Sequence, residues 1–500
     1  MRVVLVSSEV APFSKTGGLA DVSGSLPMAL KHLGCDVRVV TPLYKMVKES
    51  GCPFKKTSHD LTITMGDKEV KGSIATSLLH GEIPTYLIEQ DQYYHRDYLY
   101  STPSGDYPDN GERFIFFALA VLTLCKQMGF QPQVIHCNDW QSGLIPAYLK
   151  TLYRNDPFYA HTASIFTIHN LAYQGNFSQE CLTLTGLPQE TFTPEGLEFW
   201  GKVSFLKAGI VYSDIITTVS QGYSREIQTP EYGCGMEGIL SVRREDLFGI
   251  INGVDYGAWS PEKDTFIASP YSADDLSGKS KCKADLIAHF GLPTSLKNLP
   301  LLGMISRLAD QKGFDLLAAI MDKLMKMEVG FVLLGAGEPK YHEFFEGIAQ
   351  RYPKKAGIRL GYDNALAHKI EAGSDMFLMP SQYEPCGLNQ IYSLKYGTIP
   401  IVRATGGLDD TIEDYTPRTE SGNGFKFNKY TPHQFLDKIK AALKVYEQKD
   451  AWLRLVKKGM ALDFSWENSA RQYLQLYQSA CGKKGYPPFL KSLLDLSPQI

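Results

Sequence analysis

Short, almost unbroken apolar runs recur along the chain, and longer stretches with apolar residues every third or fourth position lie between them. Residues 3–6 form the first run, followed by a helical spacing (Val22, Leu26, Ala29, Leu30, Leu33). Strands are predicted at 37–41, 74–79, 85–89, 133–137, 164–168, 215–219 and 248–252, with a helix at 114–127 between them. Unbroken apolar runs suit parallel strands covered on both faces. After a polar, turn-rich connector at 256–298 holding a helix at 279–290, strands resume at 301–306, 329–334, 358–360, 376–379 and 399–402, with a helix at 314–327. A last helix is predicted at 470–479. The pattern predicts an α/β protein of two Rossmann-like, doubly wound halves, the first carrying an added hairpin.

Two glycine-rich turns reinforce this division. Thr16-Gly17-Gly18-Leu19-Ala20-Asp21 follows the first strand, and Thr405-Gly406-Gly407-Leu408-Asp409-Asp410 follows residues 399–402. A strand, a glycine pair and a helix start present backbone N–H groups at the positive end of a helix dipole, which suits a phosphate. Lys15 adds a full charge. Each half is expected to aim such a cradle at a shared deep cleft. Neither turn matches the dinucleotide or Walker fingerprints, which argues against an NAD oxidoreductase or a P-loop enzyme.

Composition narrows the class further. Five hundred residues suffice for two buried cores. With 51 basic and 54 acidic residues the net charge is −3, and no nucleic-acid partner is expected. The nine cysteines have no metal-like spacing, and reduced thiols in a cytoplasmic protein are expected. The longest apolar run, 114–125, is too short to span a bilayer, so no membrane partner is expected either.

In open α/β sheets ligands gather beyond the carboxyl ends of the strands. That rule singles out Ser8 and Glu9, then His136 to Trp140, His169-Asn170 and Asn252 to Asp255 in the first half. In the second half it singles out Arg307 with Lys312, two cations able to clamp a diphosphate, and the stretch from Ser381 to Leu388, which contains Glu384. No Asp-x-Asp triplet occurs, so neither metal nor other cofactor is expected, the cations serving to neutralise a leaving diphosphate. Each position, taken alone, is equally compatible with a surface charge or a satisfied turn.

Together these motifs resemble those of the bacterial glycogen synthase and plant starch synthase family. The resemblance is carried by Lys15 to Val22, His136 with Asp139-Trp140, Ile168 to Gly175, Asn252 to Asp255, Ser306-Arg307-Leu308 with Lys312-Gly313, Glu384 to Leu388 and Thr405 to Leu408, in order over nearly the whole chain. It implies the GT-B fold, with domains at 1–255 and 256–465 and a helix at about 466–482 packing back on the first. It implies a retaining transferase moving glucose from an ADP-glucose donor to the 4-OH of an α-1,4-glucan (glycogen) acceptor. It implies catalytic roles for Lys15, Asp139, His169, Arg307, Lys312 and Glu384. Gly18, Asp21, Asn252, Cys386, Gly387, Leu388, Gly407 and Leu408 are implied to contact substrate, with Tyr362 stacking on adenine. The tyrosine-rich stretch 93–100 is expected to help hold the glucan through Tyr94 and Tyr98, or else to pack its own rings. Broader relatives carry a second glutamate eight residues after the first; here that position is Tyr392. Rival readings are the same fold using UDP-glucose and a non-catalytic glucan-binding protein. The oligomeric state is left open.

Overall fold

The computed structural model describes residues 1–486, which form two compact units. The first comprises Met1–Val219, Ser224–Gly253 and the chain from Trp466; the second comprises Ser220–Tyr223 and Val254–Ser465.

The first unit is built on nine strands: β1 (Arg2–Val6), β2 (Asp36–Pro42), β3 (Lys55–Met65), β4 (Lys68–Leu79), β5 (Ile83–Glu89), β6 (Val134–Asn138), β7 (Ala163–Ile168), β8 (Ile215–Thr218) and β9 (Leu247–Gly249). Their order across the sheet is β9-β8-β7-β6-β1-β2-β5-β4-β3. Pairing is parallel from β9 to β5, and β4 and β3 continue it antiparallel. The inner strands are largely apolar because both faces are covered; Val3 to Val6 and all of β7, including its Ser164 and Thr167, are buried. In β3 only Leu61, Ile63 and Met65 are buried, alternating with exposed residues. That is the signature of an edge strand with one wet face, and it escaped a search for continuous apolar runs.

The helix Asn110–Gln127 is apolar nearly all round and lies in the core. The helix Trp466–Lys483 packs against the helix Gly18–His32 and against β6 and β7, burying Ala470, Tyr473, Tyr477, Ala480 and Cys481 completely. A hydrogen bond of 2.8 Å joins the Tyr477 hydroxyl to His136 Nδ1, while His136 Nε2 lies 2.6 Å from Thr167 Oγ1. His136, flagged from sequence as a strand-end candidate, is therefore a core histidine. Burial keeps it neutral, its pKa pushed down to about 3.

The second unit has six parallel strands: β10 (Leu301–Leu308), β11 (Gly330–Gly337), β12 (Ala356–Leu360), β13 (Met376–Met379), β14 (Ile399–Arg403) and β15 (Phe425–Phe427), ordered β12-β11-β10-β13-β14-β15. The helix Phe314–Met325 buries Phe314, Leu317, Ile320, Met321 and Leu324, the spacing of one apolar stripe. Residues 256–298 belong to this unit. Trp259 stacks between His368 (3.8 Å) and Tyr392 (4.1 Å), and Asp264 accepts hydrogen bonds from His368 Nδ1 (2.7 Å) and the Tyr396 hydroxyl (2.5 Å). Tyr392 thus spends its ring on packing. Among the described residues no helix is long and apolar enough to cross a membrane.

Candidate active site

In the first unit the residues of interest stand past the carboxyl ends of β1, β6, β7 and β9. Glu9 organises the loop after β1. Its carboxylate accepts from Thr16 N (2.5 Å), Thr16 Oγ1 (2.6 Å), Gly17 N (3.3 Å) and the Tyr100 hydroxyl (2.9 Å), and it is buried. The amides of Thr16 and Gly17, expected to form an open anion cradle, are therefore taken by the chain's own carboxylate. Gly17 and Gly18 keep open space where a side chain would stand. Neither glycine is needed for packing, which leaves room for a ligand at the backbone. Lys15 Nζ lies 2.6 Å from Asp21 Oδ1 in the first turn of the following helix, both side chains partly exposed. Asp21 orients the ammonium without burying it.

Asp139 follows β6 at φ +55°, a conformation that side chains other than glycine seldom adopt. Its Oδ1 accepts from the His169 amide at 2.8 Å. Burial lifts its pKa to about 7, the charge of Glu9 adding to the effect. His169 follows β7, with its Nε2 2.9 Å from Asn138 Oδ1. Asn138 Nδ2 donates to the Val6 carbonyl at 3.1 Å, which turns Oδ1 toward the imidazole. Nε2 therefore carries the proton, and Nδ1 remains an acceptor. Burial pushes the His169 pKa down to about 3, so the ring is neutral at pH 7. Asn252 is buried after β9, and its Oδ1 has no hydrogen-bond partner among the described residues. An orphaned buried acceptor is costly unless a ligand hydroxyl completes it.

In the second unit Arg307 is exposed near the end of β10, with Nη2 3.3 Å from Gln311 Oε1. Lys312 Nζ lies 2.6 Å from Glu384 Oε2, which also accepts from Ser381 Oγ at 3.0 Å. The pair is held from both sides: Gln382 N donates to Gln311 O (2.8 Å), and Gln311 Nε2 donates to Tyr383 O (3.1 Å). Glu384 is buried and already neutralised, whereas Arg307 is open to solvent. Tyr362 is 86% exposed, just after β12.

The second glycine turn differs from the first. Gly406 has φ +45°, and a Cβ there would lie 2.0 Å from the Glu384 carbonyl oxygen, so glycine is obligatory. Gly407 N donates to Glu384 O at 3.1 Å and Leu408 N to Thr405 O at 3.0 Å. Of these two N–H groups, both expected to meet sugar or phosphate, that of Gly407 is spent on fixing the segment that carries Glu384, and that of Leu408 on closing its own turn. Gly387 adopts φ +70° in that segment, ahead of the helix Asn389–Lys395, for which Leu388 is the N-cap. Cys386 is buried and in no disulfide, and its carbonyl accepts from Gln390 Nε2 at 3.1 Å.

Tyr94 is also corrected. It is fully buried, donates its hydroxyl to Arg113 O at 2.9 Å and packs edge-on against Tyr44 and Tyr93, so it has no face for a glucan. Tyr98 is half exposed. Glu9, Asn138 and Gln311 are absent from the implied site; the strand-end rule gave a signal for Glu9 after β1 and for Asn138 at the end of β6, and none for Gln311. Among the described residues no cluster of three or more His, Cys, Asp or Glu side chains could hold a metal ion.

Comparison with known proteins gives this arrangement its family. Residues 2–242 match the starch synthase catalytic domain and residues 293–458 match glycosyl transferases group 1. A glycogen synthase of Koribacter versatilis is 50% identical over 480 residues, 96% of this chain and 98% of that protein. The chain belongs to the glycogen synthase family. A glycogen synthase of Desulforudis audaxviator is 47% identical over 97% of both chains. The catalytic domain of starch synthase IV from Arabidopsis thaliana, solved bound to ADP and acarbose, superposes with a TM-score of 0.88 at 34% identity, covering 96% of this chain and 99% of that one. Sucrose-phosphate synthase of Thermosynechococcus elongatus, at 18% identity and a TM-score of 0.57, shares the fold. As a glycogen synthase family member the protein is a retaining glycosyltransferase with the GT-B fold of two Rossmann-like α/β domains.

Proposed function

We propose that the protein elongates α-1,4-glucan in the cytoplasm, transferring glucose from ADP-glucose to the 4-OH of the non-reducing end with the anomeric configuration kept. The observation that carries this reading is the Lys312–Glu384 pair beside Arg307 at the carboxyl end of the second unit's sheet. Arg307 and Lys312 would meet the donor's diphosphate, and Tyr362 would stack on the adenine; Lys15 is a further candidate cation for the leaving group. Asn252 Oδ1 and His169 Nδ1 are acceptors suited to sugar hydroxyls. Glu384, tied to an ammonium, is a poor nucleophile and a good acceptor for glucose hydroxyls.

In the reaction the bond from C1 to the diphosphate oxygen breaks and a bond from C1 to the acceptor O4 forms. The proton of the 4-OH passes to the departing phosphate oxygen on the same face, giving ADP. Cations placed where that negative charge grows favour the transition state over the ground state. The test is incorporation of labelled glucose into glycogen from ADP-glucose and from UDP-glucose. Incorporation from ADP-glucose, with product digestible by an α-1,4-specific glucosidase, supports the reading. Preference for UDP-glucose would reassign the donor, and glycogen binding without transfer would leave a non-catalytic glucan-binding protein.

A further inference from the structure

Of the five tryptophans, Trp140, Trp452 and Trp466 are buried and Trp259 is half-buried, whereas Trp200 is 81% exposed. It stands on a hairpin in which Glu198–Phe199 pairs antiparallel with Lys202–Ser204, leaving Trp200-Gly201 as a two-residue turn. Both turn residues are left-handed, at φ +52° and +74°. Such turns favour asparagine, aspartate or glycine at the first position, because a Cβ is crowded there. A bulky indole is the least suited occupant.

The fold nevertheless braces it. Glu198 Oε1 accepts from Gly201 N at 2.7 Å. The buried ammonium of Lys207 donates to the carbonyls of Pro194 and Glu198 at the base of the hairpin. A strained, rigidly held aromatic that packs on little of its own chain is a presented surface.

The hairpin is tied to the segment that begins at His169 in the candidate site. Segment 169–174 starts at His169 and carries Tyr173, itself 53% exposed. The Gln174 carbonyl accepts from Leu206 N (3.1 Å) just past the hairpin, and Gln174 Nε2 donates to Cys234 O (3.0 Å). Gly235, next in line, lies so close to the hairpin that a Cβ there would be 3.0 Å from the Phe199 ring and 3.4 Å from Trp200 Nε1.

We propose that Trp200, with Tyr173, forms an acceptor site for a long α-glucan chain, the indole face stacking on a pyranose ring remote from the end being elongated. The apolar C–H face of a pyranose complements the negative face of an aromatic ring. The hairpin sequence around Trp200 carries one acidic and one basic residue, Glu198 and Lys202, so it lacks the basic stripe that a nucleic acid requires. The inference rests on the glucan-elongating reading above.

The test compares wild type with Trp200→Ala and Trp200→Tyr. Steady-state kinetics are measured with glycogen, with maltoheptaose and with maltose, and glycogen retention is measured by affinity electrophoresis. Trp200→Ala is expected to raise KM for glycogen and maltoheptaose about tenfold, a loss in the range of one aromatic stacking contact. KM for ADP-glucose, kcat at saturating acceptor and the kinetics with maltose are expected to stay as in wild type, and Trp200→Tyr to restore most of the affinity. Glycogen is expected to retard wild type in the gel and Trp200→Ala much less. Equal retardation and equal KM for long and short acceptors in both proteins would overturn the proposal. So would a dimeric wild type and a monomeric Trp200→Ala by light scattering, since a second copy would then cover the indole. If wild type is retarded through Trp200 but transfers no glucose, the functional reading fails and the binding site stands.

Discussion

Asp139 holds its proton far more tightly than an ordinary carboxyl because burial penalises its charge, so it titrates near pH 7. A transferase assay from pH 5.5 to 8.5 is expected to show a limb centred near that value. Asp139→Asn keeps an oxygen to accept the His169 amide and should abolish the limb. Glu9→Gln removes the neighbouring charge and should move the limb to lower pH. The same groups set opposing stability trends. Between its unfolded value of 3.8 and about 7, Asp139 is protonated only in the folded chain, so it favours folding at acid pH and that contribution is lost as pH rises through 7. His136 and His169 have folded values lowered to about 3 from 6.5, so what they contribute is full above pH 6.5 and is lost as pH falls toward 3. Asp139→Asn should therefore steepen the fall in urea midpoint between pH 7 and pH 5. The cations give a separate prediction: Lys15→Ala, Arg307→Ala and Lys312→Ala should each lower kcat by about 10²-fold with unchanged circular dichroism. Near wild-type turnover in all three would refute the leaving-group role. The glycine-rich turn made Lys15 legible in the sequence, and the strand-end rule made Arg307, Lys312 and Asp139 so. It could not reveal Glu9's role, which depends on Tyr100 and Thr16 arriving from elsewhere in the chain.

At the scale of elements, unbroken apolar runs located the parallel strands because burial on both faces leaves no polar alternation. The same logic missed β3, whose pattern is written over alternate residues. Residues 93–100 show the complementary limit. A cluster of tyrosines reads the same whether its rings face a ligand or a core, and the short helix Asp91–Tyr94 turns Tyr94 inward. Tyr94→Ala is expected to cost about 3–5 kcal/mol of stability by urea titration, as for other large aromatic truncations in cores. At a temperature where the variant stays folded, its KM for glycogen should match wild type. Tyr392 was legible only as a departure from broader relatives; its stacking on Trp259 shows what the position does here.

Taken as a whole, the chain leaves its first unit at Gly253 and returns to it at Trp466. The returning helix supplies Tyr477 to His136 and buries Tyr473 and Ala480. A protein ended at residue 465 would strip that cover and leave His136 without its hydroxyl partner, while every residue of the second unit would be present. Calorimetry of such a truncation is expected to show the second unit's transition near its usual temperature, and the first unit's lowered or lost. A single transition at the wild-type temperature would contradict it. The apolar spacing at 470–479 announced this helix, but nothing in its own residues says which sheet it covers.

That return also bears on how the protein is made. On the ribosome the segment from Val254 to Ser465 emerges in one piece and can settle as soon as it is free. The nine-stranded sheet, although all its strands precede that segment, must wait with one flank bare until its closing helix has been synthesised. The half that starts first is the half that finishes last, and during that wait it is the part of the nascent chain with most need of a chaperone.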